Sequence, residues 1–365
     1  MLAGAAAALA PAGAGAGAAG LTLGVSGDIQ QAKELGAGIV RLDVGWPASR
    51  RPAHPRDPAD PAYDWSRADA AVAAARAQGL RVLLSFTGLP AWARRAHAPR
   101  GVDPSTYRPR PADVGAYGEA LARRYPQAAA LQVWKEPNRS AYLTPQRSQR
   151  GPAGPRIYRA ILNAFDAGVR RAGSKALVVT AGTAGLGDIG ERRGMTPVAF
   201  WRAVLARRVR FDVLAHDLTS AGSPTHHARN ADDVAIPDMG KLRRLLERAH
   251  KRARLWVTDL STNRADWLEH GLELLWRARV DTVTCRVPAG SGTAFRFPFV
   301  VGGDQVWTRA PADGILVIER DGRSVRRVPV RAGQVLLLHN VRMRRGDVFR
   351  GVLGTLRSLP WTATH

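Results

Sequence analysis

Two acidic residues stand where an apolar run ends and a carboxylate is left at its edge. The segment LQVWKEPN (131–138) carries Glu136 directly before Pro137. Proline lacks the backbone N–H that a strand ladder needs, so the run stops there and leaves the carboxylate at its rim. The segment LWVTDLS (255–261) carries Asp259 at the equivalent end. GIVRLDVGW (38–46) brings Arg41 and Asp43, and FDVLAHD (211–217) brings His216 and Asp217. A carboxyl pair converging on one cleft suits cleavage of a glycosidic bond: one group protonates the leaving oxygen and the other attacks the anomeric carbon. In that scheme Glu136 is the acid/base and Asp259 the nucleophile. A spacing of about 5–5.5 Å gives retention, and one of about 6.5–9.5 Å gives inversion. Arg41 then keeps Asp259 as the anion, and His216 orients charge beside it.

Four further side chains are candidates to bind or orient a substrate. Trp134 and Lys135 precede Glu136 in the same segment. Trp46 and Trp92 follow the second and third apolar runs, where loops concentrate ligand contacts. Each of these two tryptophans is either a wall on which a sugar ring stacks or a packed core aromatic.

The elements that must position these groups alternate in type. Strand-like runs cover Leu21–Ser26, Gly38–Trp46, Arg81–Thr87, Leu131–Glu136, Ala176–Gly182, Phe211–His216, Arg254–Leu260 and Asp281–Val287. Helical periodicity fills the gaps at Ile29–Leu35, Ser66–Gln78, Pro111–Arg124, Gly154–Ala172, Thr196–Ala206, Asp238–Lys251 and Asn263–Arg277. Alternation of this kind predicts parallel strands covered by helices, and eight units predict a closed (β/α)₈ TIM barrel. The catalytic groups would then lie at the C-terminal ends of the strands. From about Phe295 strand-like runs replace helices, at Arg296–Val301, Gly314–Glu319, Ser324–Val330, Gln334–His339 and Val348–Val352. With Asp321-Gly322 as a hairpin turn, this tail reads as a small antiparallel β-sandwich with a structural role. Trp307 and Trp361 are its exposed-looking aromatics. The expected division is a leader at 1–20, the barrel at 21–294 and the tail at 295–365.

Composition narrows the function classes. The formal charge is +24, and five of the 54 basic residues are lysines, so 49 are arginines. The arginines run along the whole chain and accompany no nucleic-acid motif. Weak attraction to anionic cell-wall polymers follows, and a specific nucleic-acid partner does not. One cysteine, Cys285, excludes a disulfide within the chain and a cysteine-rich zinc site. His216, His226 and His227 lack a carboxylate at ligand spacing, so no metal is expected. The glycine patterns at Gly15–Gly20 and Gly185–Gly190 lack the strand–turn–helix frame of a nucleotide site. No cofactor is expected, and the chain reads as a monomer. Residues 1–20, MLAGAAAALAPAGAGAGAAG, resemble the later part of a secretory signal without its charged start, which points to a secreted or cell-surface protein. No stretch is apolar and long enough for a membrane span.

The motifs resemble those of clan A glycoside hydrolases, the cellulase-like and β-xylosidase-like group, in their secreted actinobacterial form. Tyr63–Ala93 looks like the clan's second helix and third strand. WKEPN resembles its strand-four motif WNEPN, whose Glu is the acid/base, and WVTDLS resembles WVTEFS, whose Glu is the nucleophile. The resemblance covers nearly the whole chain after residue 20. It implies a retaining two-carboxylate mechanism on β-linked glycosides or polysaccharides, at Glu136 and Asp259. Lys135 stands where the clan has Asn and Asp259 where it has Glu. Asp217-Leu218 replaces Pro-Tyr, and Cys285 falls where a strand-eight Trp floors the subsite. These four departures admit a second reading, a pseudo-glycosidase that binds glycans without cleaving them.

Overall fold

The computed structural model describes residues 20–187, 194–220, 222–249 and 251–364. The leader up to residue 19 and the second half of Gly185–Gly190 lie outside the described residues.

Eight parallel strands form one ring. They are β1 (Thr22–Ser26), β2 (Ile39–Asp43), β3 (Arg81–Phe86), β4 (Ala130–Val133), β5 (Leu177–Thr180), β6 (Val213–Thr219), β7 (Arg254–Ser261) and β8 (Thr282–Arg286). Each pairs with the next, β8 pairs with β1, and β6 pairs with β7, so the sheet closes on itself. The chain is a TIM barrel with a small antiparallel β region after it, as the alternation predicted.

The outer ring is α1 (Ile29–Glu34), α2 (Ser66–Ala77), α3 (Pro111–Arg124), α4 (Gly154–Arg171), α5 (Pro197–Leu205), α6 (Gly240–Arg248) and α7 (Ala265–Arg277). Proline at the first or second position starts α3, α4 and α5, where a missing N–H costs nothing. Helix α4 buries Tyr158, Ile161, Leu162, Phe165 and Val169, one apolar stripe at helical spacing. It lies so close to α3 that a Cβ on Gly168 would come within 2.0 Å of the Gly115 carbonyl oxygen.

Alternation along each strand sorts side chains into two sets. Ile39, Leu83, Ala130, Val179, Val213, Ala215 and Trp256 point inward and plug the barrel. Val40, Leu42, Val82, Leu84, Leu131, Val178 and Leu214 point outward and pack under the helices. Above the plug the inward positions turn polar, and that layer is the floor of the barrel mouth.

After β8, a short α8 (Gly292–Arg296) leads into two antiparallel sheets. One holds β9 (Phe299–Gly302), β10 (Gln305–Arg309) and β13 (Val335–Leu338). The other is built on β11 (Gly314–Arg320), β12 (Arg323–Val330) and β14 (Val348–Leu353). Phe297, Phe299, Leu316, Ile318 and Phe349 fill the space between them. The turn from β11 to β12 has φ of 51° at Asp321 and 75° at Gly322, the left-handed pair a two-residue hairpin demands. Two expectations are corrected. Arg296 ends a helix, so the strand starts at Phe299. Trp307 is 1% exposed and packs 6.2 Å from Trp276, because it belongs to β10, the second strand of a hairpin that turns at Gly303-Asp304.

Candidate active site at the barrel mouth

The polar floor begins with Arg41, 2% exposed on β2. Its Nε donates to Gln132 Oε1 on β4 at 3.2 Å, and its Nη2 donates to Ser85 Oγ on β3 at 3.3 Å. Gln132 Nε2 donates in turn to Thr258 Oγ1 on β7 at 3.0 Å, and Thr258 Oγ1 donates to Asp217 Oδ1 on β6 at 2.7 Å. A hydrogen-bonded chain thus crosses the barrel from β2 to β6. Above it sit the candidate carboxylates.

Asp259 is placed by a β-bulge. Val257 pairs with His216 and Asp259 with Asp217, so Thr258 is an extra residue in β7. Strict alternation would send Thr258 inward and Asp259 outward. The bulge lets both consecutive side chains face the mouth, a re-aiming that bulges commonly supply near active sites. Arg41 Nη1 then lies 3.6 Å from Asp259 Oδ2. The expected pairing of Arg41 with Asp259 is present.

A second guanidinium holds the same carboxylate. Arg286, at the end of β8, donates from Nε to Asp259 Oδ1 at 2.9 Å and from Nη2 to Oδ2 at 2.9 Å. Bidentate pairs of this kind are the stronger, geometrically specific ones. Arg286 was not singled out from sequence. Its signal was available: it is the last polar residue of the eighth run, Asp281–Val287, with alternation setting it opposite to Cys285.

Glu136 sits where β4 leaves the sheet. Trp134 has φ of 76° and Glu136 φ of 35°, both in the left-handed region that costs non-glycine residues about 1–3 kcal/mol. The strained turn is held from three sides. Glu136 N donates to Gly182 O at 3.0 Å, Trp134 Nε1 donates to Tyr142 O at 2.8 Å, and buried Asn138 bonds both Ala184 and Met195. The Glu136 carboxylate pairs with Arg139 at 3.3 Å.

Asp217 is the site's missed member. Its carboxyl fills the space left by the absent side chain of Gly182, where a Cβ would stand 2.0 Å from Asp217 Oδ1. Burial pushes its pKa up to about 7; Arg41 opposes the shift, while the charges of Asp259 and Glu136 add to it. Asp217 is therefore close enough to feel both carboxylates, and it holds a proton for part of the neutral range. The sequence placed Asp217 at a strand end but offered His216 for the role.

His216 is corrected. It is fully buried on the outward face of β6, its Nδ1 2.9 Å from Thr183 Oγ1 and its Nε2 3.2 Å from Val234 O. Burial lowers its pKa to about 4, so it is neutral and places no charge beside Asp259. Alternation sends adjacent residues to opposite faces, and here the carboxylate took the inner one.

Three further expectations change. Trp134 is 1% exposed with its indole N–H committed to Tyr142, so it positions the turn and does not face a ligand. Lys135 reaches over the Tyr142 ring at 5.3 Å, and the cation beside Glu136 is Arg139. Cys285 faces outward among the helix-packing residues, so it does not occupy the mouth position given to it; Arg286 does.

Trp46 is also a core residue. It stacks on Tyr117 at 4.7 Å and meets Phe86 and Trp92 edge to face. Trp92 is half-buried, and its indole N–H donates to Ala48 O at 3.1 Å, which ties the loop after β3 to the loop after β2. Trp46 does border a cavity of about 680 Å³ between these loops, together with Pro47, Gly88 and Pro90. Glu136 and Asp259 lie outside it. Among the described residues no group of three or more His, Cys, Asp or Glu could hold a metal ion, and no helix is long and apolar enough to cross a membrane.

The chain matches no protein-family model and no curated sequence. Solved structures do match. A family 39 glycoside hydrolase from Bacteroides cellulosilyticus superposes with a TM-score of 0.56 at 14% identity, over 92% of this chain and 81% of that one. A glucosidase from Croceicoccus marinus gives 0.55 at 13% identity, over 87% and 92%. A family 30 endoxylanase from Clostridium papyrosolvens gives 0.51 at 12% identity, over 88% and 93%. The molecule is a (β/α)₈ barrel of the architecture found in clan A glycoside hydrolases. At these identities the likeness is one of fold.

Proposed function

We propose that this protein is a glycoside hydrolase that cleaves β-linked glycosides or polysaccharides with retention. Asp259 attacks the anomeric carbon while Glu136 gives its proton to the departing oxygen. Water then attacks the glycosyl–Asp259 ester, Glu136 takes its proton, and Asp259 is released. The observation that carries this reading is the β7 bulge, which turns Asp259 into the mouth against Arg41, at the same end of the barrel as the strained turn that carries Glu136. Asp217 supplies a third carboxyl on the floor, able to donate a hydrogen bond while protonated. Taken with the leader, the activity belongs outside the cell or at its surface.

The test is covalent trapping. An aryl 2-deoxy-2-fluoro-β-glycoside with a good leaving group should label Asp259, read by mass spectrometry of the peptide that contains it. Glu136→Gln should still be labelled, because a good leaving group needs little acid help, yet should lose turnover of unactivated glycosides by about 10²–10⁴-fold. Labelling at another carboxylate refutes the assignment.

The clamp on Asp259 favours a second reading. Arg286 covers both carboxylate oxygens and Arg139 holds Glu136, an arrangement suited to a barrel that binds glycans without cleaving them. Under that reading wild type is inert on a panel of aryl glycosides, and Arg286→Ala with Asp259→Glu gains activity. Under the first reading wild type is active and Asp259→Glu brings no improvement.

A further inference from the structure

The loops after β3 and β4 enclose a second cleft, of about 560 Å³, apart from the carboxylates of the mouth. Its volume falls within the range of about 300–1,000 Å³ typical of small-ligand sites. Arg95, Arg108, Arg150 and Arg156 line it, and no acidic residue does. All four arginines are exposed, and none pairs with a carboxylate among the described residues. What sets the four apart is that they line one concavity, whereas the exposed arginines Arg124, Arg170, Arg171 and Arg286 each hold an Asp or Glu.

The cleft is built on fixed backbone. Arg95 N donates to Arg108 O at 2.9 Å, and Arg108 N donates to Thr144 O at 3.0 Å, joining the two loops. Arg147–Ser148 and Gly151–Pro152 form a small hairpin with Gln149 and Arg150 at its tip. Arg156 braces that hairpin, its Nη1 on Arg150 O at 3.1 Å and its Nη2 on Ser148 Oγ at 3.1 Å. Between the guanidinium groups the lining is apolar, with Pro109, Pro145 and Ile157.

We propose that this cleft binds an acidic glycan, a chain of sugar units bearing carboxylates. The guanidinium fork matches a carboxylate with two parallel hydrogen bonds. Three such forks, at Arg95, Arg108 and Arg150, with the charge of Arg156 beside them, suit more than one carboxylate, spaced as on neighbouring units of a polymer. The apolar floor accepts the C–H face of a sugar ring, which a bare oxyanion would leave unfilled. Single-stranded nucleic acid needs aromatic platforms for its bases, and none lines the cleft. A bilayer surface meets basic residues displayed outward, and these line a hollow. The inference stands whether or not the barrel mouth cleaves a glycosidic bond.

The experiment is calorimetric titration of the full chain with trigalacturonate and, separately, with its methyl ester. Wild type should bind the acid and not the ester. Arg95→Ala combined with Arg150→Ala should weaken binding by about tenfold or more, since a hydrogen bond to a charged group contributes about 1.5–3 kcal/mol. The pair Arg323→Ala and Arg327→Ala, exposed on β12, removes equal charge elsewhere and should leave binding unchanged. Glu136→Gln should bind as wild type does. Raising ionic strength from about 0.1 M to about 1 M shortens the screening length from about 10 Å to about 3 Å, so affinity should fall steeply. Matching melting curves show that the variants are folded. Equal binding of acid and ester, no binding of either, or equal loss in both arginine pairs would overturn the proposal. So would loss of binding in Glu136→Gln, which moves the site to the mouth. Tighter binding of pyrophosphate, or of phosphatidylglycerol vesicles, that depends on Arg95 and Arg150 would replace the acidic glycan by a phosphate ligand.

Discussion

The barrel mouth and the cleft beside it are both furnished with arginine, yet they present opposite faces to a ligand. At the mouth Arg41, Arg286 and Arg139 each hold a carboxylate, so the groups offered to a substrate are acidic and fixed in place. In the cleft Arg95, Arg108, Arg150 and Arg156 hold none among the described residues, so the guanidinium groups, above all those of Arg95, Arg108 and Arg150, are themselves the offered surface. The partner, not the residue type, decides whether an arginine orients an anion or awaits one. The same comparison explains how a chain of net charge +24 can carry a site whose working groups are carboxylates.

The largest effect should come from removing the cation on which the mouth is built. Arg41→Leu leaves Asp217 without its buried counter-charge, Asp259 with Arg286 alone and Gln132 without its donor. Chemical denaturation should show a loss of about 3 kcal/mol or more, the scale of breaking a buried pair by deleting one member. A loss below about 1 kcal/mol would mean that the mouth, like the cleft, tolerates unpartnered charge.

Gly182→Ala comes next. A Cβ there would overlap the Asp217 carboxyl, and overpacking of this kind costs about 1–3 kcal/mol. The variant should also lose whatever function depends on Asp217, because the carboxyl is pushed from its niche.

Asp217→Asn should change the pH dependence more than the stability at any one pH. The folded carboxyl titrates at about 7 against an ordinary value of 3.8. Its contribution to stability is therefore complete below about pH 3.8 and is lost as pH rises toward about 7. Urea midpoints of wild type should decline across that window, and those of Asp217→Asn should lose the decline. A pH–rate profile of wild type should carry an inflection near 7 that the variant lacks. Identical profiles would remove Asp217 from the site.

Arg286→Ala should be nearly silent in stability, within about 1 kcal/mol, because the pair is solvent-facing. Its effect belongs to chemistry: with Asp259 uncovered, trapping by the fluoroglycoside should speed up. Arg150→Ala should shift stability by no more than about 0.5 kcal/mol, since the arginine side chain supports no buried group.

Much of the barrel was legible because its signals are local. Pro111, Pro155 and Pro197 mark helix starts, Gly79 with φ of 71° follows a helix end, and apolar spacing marks the stripe on α4. Glu136 and Asp259 were legible for the same reason, as acids at the ends of apolar runs. The failures also share a cause. Trp46, Trp134, Cys285 and His216 were placed by proximity to a strand end, and the face on which each side chain emerges was decided elsewhere. For Asp259 it was decided by one extra residue in β7, which alternation alone does not reveal. Trp307 lies on β10, which the two-residue turn Gly303-Asp304 joins to β9, so its signal was in the sequence as well.

The sequence by itself determined that this chain alternates eight strands with seven helices, closes into a barrel and puts acids at the rim. Those features follow from periodicity, proline and the reach of neighbouring residues. Only the tertiary structure decided which acids meet. Arg41 and Asp259 are more than two hundred residues apart, Gly182 makes room for Asp217 from another strand, and Arg286 closes over Asp259 from a third. Burial and charge act through space, so a carboxyl takes its proton affinity from groups its own segment never names.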